Sequence, residues 1–288
     1  TYEPGSTIKP LILLSALLLH VPSIGLAVAA APVLPTEPTD TPFVPKDPPA
    51  KKPVVNAVTS VAYSPDGKSY AVGGADFRIF VFKAATGRLV TTLKGHGAPI
   101  TDLAYDRTGK VLASASRDST IRLWNPRTGK QLRVLSGHSQ AVLSVAFNPN
   151  GRRLISGGED SRALLWNATN GRLIRPIAAL GNFVTAVTYS ARGKIAAGTA
   201  DARIRVWDSD QAKSARTLRG HRGAVVSLSF SPAGDTLASG SADKTIRLWK
   251  AATGKQRKVL TGSATKVADV ALTRNGSKLL TGSADGTV

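Results

Sequence analysis

Apolar residues in this chain come in short bursts, broken at regular intervals by glycine, proline, asparagine and aspartate. Residues 141–147 are apolar nearly throughout and end at Asn148-Pro149-Asn150-Gly151. A run that short, closed by a turn signal, predicts a strand covered on both faces rather than a half-exposed one. Residues 220–260 show the whole unit. Gly220-His221 leads into an apolar strand over 224–230 and a turn at 231–235; strands follow over 237–241 and up to Trp249, and Gly254 precedes a last strand over 256–260. Few stretches are long enough for an amphipathic helix, and the turn spacing excludes one.

The unit recurs in phase. An aspartate precedes the third strand at Asp76, Asp118, Asp160, Asp201, Asp243 and Asp285, at spacings of 42, 42, 41, 42 and 42 residues. The aromatic that ends that strand falls at Phe82, Trp124, Trp166, Trp207 and Trp249. Four strands per period of 40–45 residues predict the blades of a β-propeller. The turns have a local cause: proline sets φ early in Ser64-Pro65-Asp66-Gly67, and glycine accepts the positive φ that closes it. Thr86-Gly87, Thr128-Gly129, Asn170-Gly171 and Thr253-Gly254 close the hairpins between third and fourth strands.

These residues resemble the WD40-repeat family over residues 54–288, most clearly in GHSQAVLSVAFNPNGRRLISGGEDSRALLWN and GHRGAVVSLSFSPAGDTLASGSADKTIRLWK. The resemblance implies an all-β propeller of four-stranded antiparallel blades, at about 54–94, 95–136, 137–178, 179–219 and 220–261, with a partial sixth at 262–288. It also implies that a His, Ser/Thr, Asp and Trp set stabilises each blade. Those roles fall on His96, Ser114, Asp118 and Trp124; on His138, Ser156, Asp160 and Trp166; and on His221, Ser239, Asp243 and Trp249. The fourth blade keeps Asp201 and Trp207 but has Leu180 and Ala197 in place of the histidine and hydroxyl, and the first keeps only Asp76. Seven blades are commonest in the family. The expectation is therefore that the natural chain continues past Val288, by about 20 residues for six blades or about 60 for seven, and that residues 1–288 alone leave an edge open.

Ahead of the repeats, Lys9 precedes an apolar run from Leu11, and small residues follow at 27–31. Residues 1–31 therefore read as a signal peptide, or as a single N-terminal membrane anchor if uncleaved, and the charge bias sends the repeats out of the cytoplasm. The expected protein is an exported, bacterial-type member, periplasmic or extracellular. Residues 32–53 are proline-rich and read as an extended linker, with a groove-binding proline motif as the alternative.

Chemistry narrows next. Cysteine is absent, which removes disulfides, thiolate metal sites and cysteine nucleophiles. His, Asp and Ser together suggest a hydrolytic triad, but the same trio repeats at blade spacing, as a unique active site would not. The three histidines of the repeats fall in different blades, so no shared metal site is expected, and no glycine-rich loop opens a helix to hold phosphate. No catalytic residue, cofactor site or metal site is assigned. The formal net charge is +20. Residues 1–53 carry as many acids as bases, so the repeats hold the whole excess. If the His and Asp loops share one face, the other collects Lys68, Arg107, Lys110, Arg127, Lys130, Arg152, Arg153, Arg172, Arg192, Lys194 and Lys255. That makes it a candidate anion-binding face, weak and non-specific because few aromatics accompany the charge. Solvated surface charge is the plainer alternative. The expected function is a non-catalytic scaffold for protein partners; the alternatives are a sensor or accessory part of a longer enzyme, and an electrostatic binder of polyanions.

Overall fold

The computed structural model describes residues 57–208, 215–273 and 277–288. The expected signal segment, the linker and Val54 lie outside the described residues. The described chain is all β. The first sheet contains β1 (Val58–Tyr63), β2 (Ser69–Gly74), β3 (Ile79–Lys83) and β4 (Leu89–Leu93). The second contains β5 (Ile100–Tyr105), β6 (Leu112–Ser116), β7 (Thr120–Trp124) and β8 (Gln131–Ser136), and the third β9 (Val142–Phe147), β10 (Arg153–Gly158), β11 (Arg162–Asn167) and β12 (Leu173–Ala179). The fourth contains β13 (Val184–Tyr189), β14 (Ile195–Thr199), β15 (Ile204–Trp207) and β16 (Arg216–Leu218), and the fifth β17 (Val225–Phe230), β18 (Thr236–Ser241), β19 (Ile246–Lys250) and β20 (Gln256–Leu260). A two-stranded sheet of β21 (Val267–Leu272) and β22 (Leu279–Ser283) follows. Within each sheet every strand pairs antiparallel with its sequence neighbour.

The six inner strands β1, β5, β9, β13, β17 and β21 pack side by side around an axial cavity of about 520 Å³. Each carries a register shift against its neighbour, as between Ile100 and Asp102 and between Val184 and Ala186. Such a bulge adds a residue and re-aims the side chains beside it, here toward the cavity.

Blade faces are covered by the next blade. One apolar cluster joins Ala113, Ile121 and Leu123 of the second sheet to Val142, Leu154 and Trp166 of the third. One close approach recurs at a repeated position. Gly73 lies against Ile100, Gly157 against Val184, Gly198 against Val225, and Gly240 against Val267. In each case a second-strand glycine of one blade receives the β-branched residue that opens the next.

Because four strands return the chain to the side it left, the loops sort onto two faces. On one face the turn before β2 bonds the turn after β3, as Ala84 N–H to Lys68 C=O (2.9 Å) and Ala168 N–H to Arg152 C=O (2.9 Å). The other face carries the loops of His96, Asp118 and their counterparts.

A β-carbon at Gly198 would lie 2.6 Å from Val225 Cγ1 and 2.9 Å from its Cβ, whereas one at Gly97 meets nothing within 4 Å. The second blade has Ala115 at the glycine position, so one methyl group can be absorbed there. Gly198→Val is therefore expected to cost about 1–3 kcal/mol and Gly97→Ala almost nothing, read as urea midpoints. Equal midpoints for the two variants would contradict this account of blade stacking.

Candidate functional site: hydroxyl-centred networks, an axial carboxylate pair and two unlike faces

The most buried polar side chains of the blades meet at a serine. Ser114 Oγ lies 2.7 Å from His96 Nε2 and 2.8 Å from Trp124 Nε1, and His96 Nδ1 lies 2.7 Å from Asp118. Indole N–H can only donate, so the serine accepts from Trp124 and donates its own proton to His96 Nε2. The imidazole then carries its proton on Nδ1 and donates it to Asp118. The third blade repeats this with His138, Ser156, Asp160 and Trp166, at 2.7 Å for His to Ser, 2.8 Å for Trp to Ser and 2.9 Å for His to Asp. The fifth does so with His221, Ser239, Asp243 and Trp249, at 2.8, 2.8 and 2.9 Å.

All three histidine side chains are fully buried, and the three serines have no exposed surface. No substrate can reach these hydroxyls, and each already has both a donor and an acceptor. The arrangement has the connectivity of a hydrolytic triad but serves to satisfy polar groups inside the blade.

The fourth blade does without the network. Leu180, Ala197 and Trp207 pack into one apolar cluster with Val184 and Ile195. Asp201 accepts from Thr199 and pairs with Arg203 (2.8 Å), and in the first blade Asp76 pairs with Arg78 (2.6 Å). Where the histidine is missing, an arginine two residues on takes the carboxylate. Phe82, at the tryptophan position of the first blade, instead stacks on Tyr70 with ring centroids 5.2 Å apart.

Two members of these networks were missed from sequence. Thr120 and Thr245 donate to Asp118 and Asp243 (2.6 Å each). A threonine two residues after the aspartate was the available signal; it recurs as Thr287 after Asp285, where the same bond forms at 2.7 Å.

A second polar set, also missed, rings the axial cavity. Asp102 accepts from Ser144 Oγ–H and Val145 N–H, each at 2.9 Å, and Ser144 Oγ accepts from Val187 N–H at 3.1 Å. Asp269 accepts from Ser227 Oγ–H at 2.5 Å and from Val270 N–H at 2.8 Å. The 42-residue interval from Ser60 to Asp102, from Asp102 to Ser144 and from Ser227 to Asp269 marks the position.

The carboxylates are tuned in opposite directions. Enclosure by the cavity walls raises Asp102 to about 6, against the hydrogen bonds it accepts and with the charge of Asp269 adding to the rise. Enclosure raises Asp269 too. Asp269 nonetheless opens onto the cavity, so both carboxylates are walled in by protein rather than sealed from water. For Asp118 burial also acts upward, but hydrogen bonds from Thr120, Gly97 N–H and His96 outweigh it and hold the group at about 2. The same balance puts Asp243 well below the usual carboxylate range. Burial lowers all three histidines, keeping them neutral.

On the His/Asp-loop face three arginines are paired, Arg78 with Asp76, Arg203 with Asp201, and Arg117 with Glu159 at 3.2 Å, while Arg222 and Lys244 are exposed with no ion pair among the described residues. On the turn face Lys68, Arg107, Lys110, Arg127, Lys130, Arg152, Arg172, Arg192 and Lys255 are exposed and have no ion pair among the described residues. Two members of the expected set differ. Lys194 is neutralised by Asp208 (2.5 Å), which also binds Arg216, and Arg153 is the partly buried first residue of β10 rather than a turn residue. Among the described residues no group of three or more His, Cys, Asp or Glu side chains could hold a metal ion.

Compared with known families, the chain matches the WD domain, G-beta repeat (WD40), over residues 54–83, 87–125, 129–167, 175–208, 212–250 and 254–288. No curated protein matches it.

Removing the pivot hydroxyl strands an imidazole nitrogen and an indole N–H together, so Ser114→Ala is expected to cost about 1–3 kcal/mol. Ala197→Ser in the fourth blade, where no histidine waits, should bring no matching gain; urea midpoints of both variants check this. The pH dependence has two signs. Asp102 binds a proton more tightly folded than unfolded, so its contribution to stability falls as pH rises from about 4 to about 6. Asp118 contributes stability that is complete above the ordinary carboxylate range and is lost as pH falls toward about 2. In a carbon-detected carboxyl titration, the resonance absent from Asp102→Asn should move near pH 6. A midpoint in the ordinary range would mean that cavity water solvates the group fully.

Proposed function

The chain belongs to the WD40 repeat family, whose domains generally mediate protein–protein contacts, and on that premise we propose a non-catalytic scaffold that binds its protein partner through the His/Asp-loop face. The observation that carries this reading is Phe77. It sits at φ 70°, a left-handed conformation that strains a bulky side chain, and 40 % of it is exposed. The same loop position holds Ser119, Ser161, Ala202 and Lys244 in other blades, none of them aromatic. Neither backbone preference nor core packing favours phenylalanine there, and strain kept at an exposed aromatic points to contact with something else. Phe183, 46 % exposed, opens the fourth blade on the same face. Its C=O accepts from Ala200 N–H, which holds its loop against the Asp201 loop. Exposed aromatics framed by ion-paired arginines suit the anchor points of a protein interface.

The scaffold is proposed to work outside the cytoplasm, delivered by residues 1–31 and held on the linker 32–53 or released from it. Lys9 and the apolar run that follows support this reading. A reporter that is active only after export, fused behind residue 53, tests it.

Phe77→Gly relieves the left-handed strain and should raise stability by up to about 1 kcal/mol. Combined with Phe183→Ala, it should cut capture of the partner from an extract of the source cells by about tenfold or more. Undiminished capture by this more stable variant would remove the His/Asp-loop face as the binding surface.

A further inference from the structure

On the turn face exposed lysines and arginines outnumber the carboxylates. The carboxylates are already engaged by the turns themselves. Asp66 accepts from Ser64 Oγ–H (2.6 Å) and Lys68 N–H (3.0 Å), Asp106 from Val111 N–H (2.9 Å), and Asp235 from Ser231 Oγ–H (2.6 Å). These acids are held as backbone caps rather than in ion pairs, and the exposed lysines and arginines of the face outnumber them. The surface is continuous, since Gly109 lies against Pro65 and Gly151 against Asp106 in neighbouring blades. Its cations are spread over the turns of neighbouring blades, so a plane can meet them at once, whereas a rod-shaped polyanion would meet only some of them.

An apolar element borders the same face. The chain leaves the third-strand turn as Gly87-Arg88-Leu89-Val90 in the first blade and as Gly171-Arg172-Leu173-Ile174 in the third. Leu89 is 36 %, Val90 38 %, Leu173 40 % and Ile174 42 % exposed. In these two blades an arginine precedes the outer strand, which opens with two exposed aliphatic side chains at the rim. Cations beside exposed aliphatic residues fit the headgroup boundary of a bilayer, where charge meets anionic lipid and apolar side chains enter shallowly. A duplex or a sulfated glycan gives those leucines nothing to enter. The large aromatics exposed among the described residues, Phe77 and Phe183, sit on the opposite face, so base stacking is not available here.

We infer that the turn face of blades one to three docks this domain on an anionic lipid bilayer, with Leu89, Val90, Leu173 and Ile174 seated at the headgroup boundary. The inference does not rest on the protein-binding reading; it uses other residues and leaves the His/Asp-loop face turned away from the membrane.

Flotation of the full chain with vesicles of phosphatidylglycerol in phosphatidylcholine tests it. Pure phosphatidylcholine vesicles measure whatever residues 1–31 contribute. Each basic residue near an anionic surface is worth about fivefold in partitioning. Lys68→Gln, Arg152→Gln and Arg172→Gln together should therefore weaken binding to the anionic vesicles by roughly a hundredfold. Arg222→Gln with Lys244→Gln, on the other face, should leave it within about twofold, and so should Phe77→Gly with Phe183→Ala. Leu89→Ser with Leu173→Ser should weaken binding several-fold at unchanged charge, with the urea midpoint held near that of the parent. Binding that is insensitive to the lipid charge or to the turn-face variants would overturn the inference. So would duplex DNA or heparin binding more tightly than vesicles, with Leu89→Ser and Leu173→Ser having no effect on the vesicles.

Discussion

A four-stranded blade with two apolar faces and no helix to cover them has only its neighbour to pack against, and the rest of this molecule follows from that requirement. The contact is made where glycine in the second strand of one blade meets a β-branched residue opening the next, as Gly73 meets Ile100 and Gly240 meets Val267. Glycine in a strand is otherwise unfavourable by about 0.5–1 kcal/mol relative to alanine. Its recurrence is explained by the close approach it allows. Stacking in this way brings the six inner strands around one axis and leaves both rims of turns free of packing duty.

Within that stack, the serine–histidine–tryptophan networks solve a local problem rather than a universal one. Trp124, Trp166, Trp207 and Trp249 are all buried, yet only three of them face a serine–histidine pair. The fourth blade replaces the pair with Leu180 and Ala197, and the site closes as apolar packing. A fully satisfied polar network and a well-packed apolar one are interchangeable in this fold; a half-satisfied one is not. This also explains why the aspartate persists in blades that lack the histidine. Asp76 and Asp201 remain at the loop edge, where Arg78 and Arg203 can reach them.

The period, the strands and the two-face division were legible because each repeats in phase: β9, β17 and β20 fall within a residue or so of the limits read from the turns. What repeats imperfectly was not legible. Asp102 and Asp269 stand where other blades have Ser60, Ser144, Ala186 and Ser227, and only the bulge in each inner strand, invisible in the residue pattern, turns that position toward the cavity. The charge on Lys194 could not be discounted from sequence either. Asp208, which pairs with it, lies across the blade at the end of the third strand, and the register that joins them is a tertiary fact. Phe77 was passed over for a different reason. Its composition says only that it is aromatic, whereas its meaning comes from a backbone angle that depends on the loop closing over Asp76.

An even number of strands per blade gives the fold its division of labour. Because the chain always returns to the face it left, every His/Asp loop lies on one side and every closing turn on the other, whatever residues they carry. The two sides then meet different demands. On the loop side the aspartate is held by histidine in the second, third and fifth blades, and by arginine in the first and fourth, where the histidine is missing. Closing turns use their aspartates, asparagines and threonines on backbone N–H groups, as Asn125 does for Arg127 and Thr128, which leaves the neighbouring bases without partners. A surplus of positive surface charge is thus compatible with turn chemistry alone before it is a binding device. It becomes a device only where something further accompanies it, and on this molecule that is the pair of exposed aliphatic steps that follow Arg88 and Arg172.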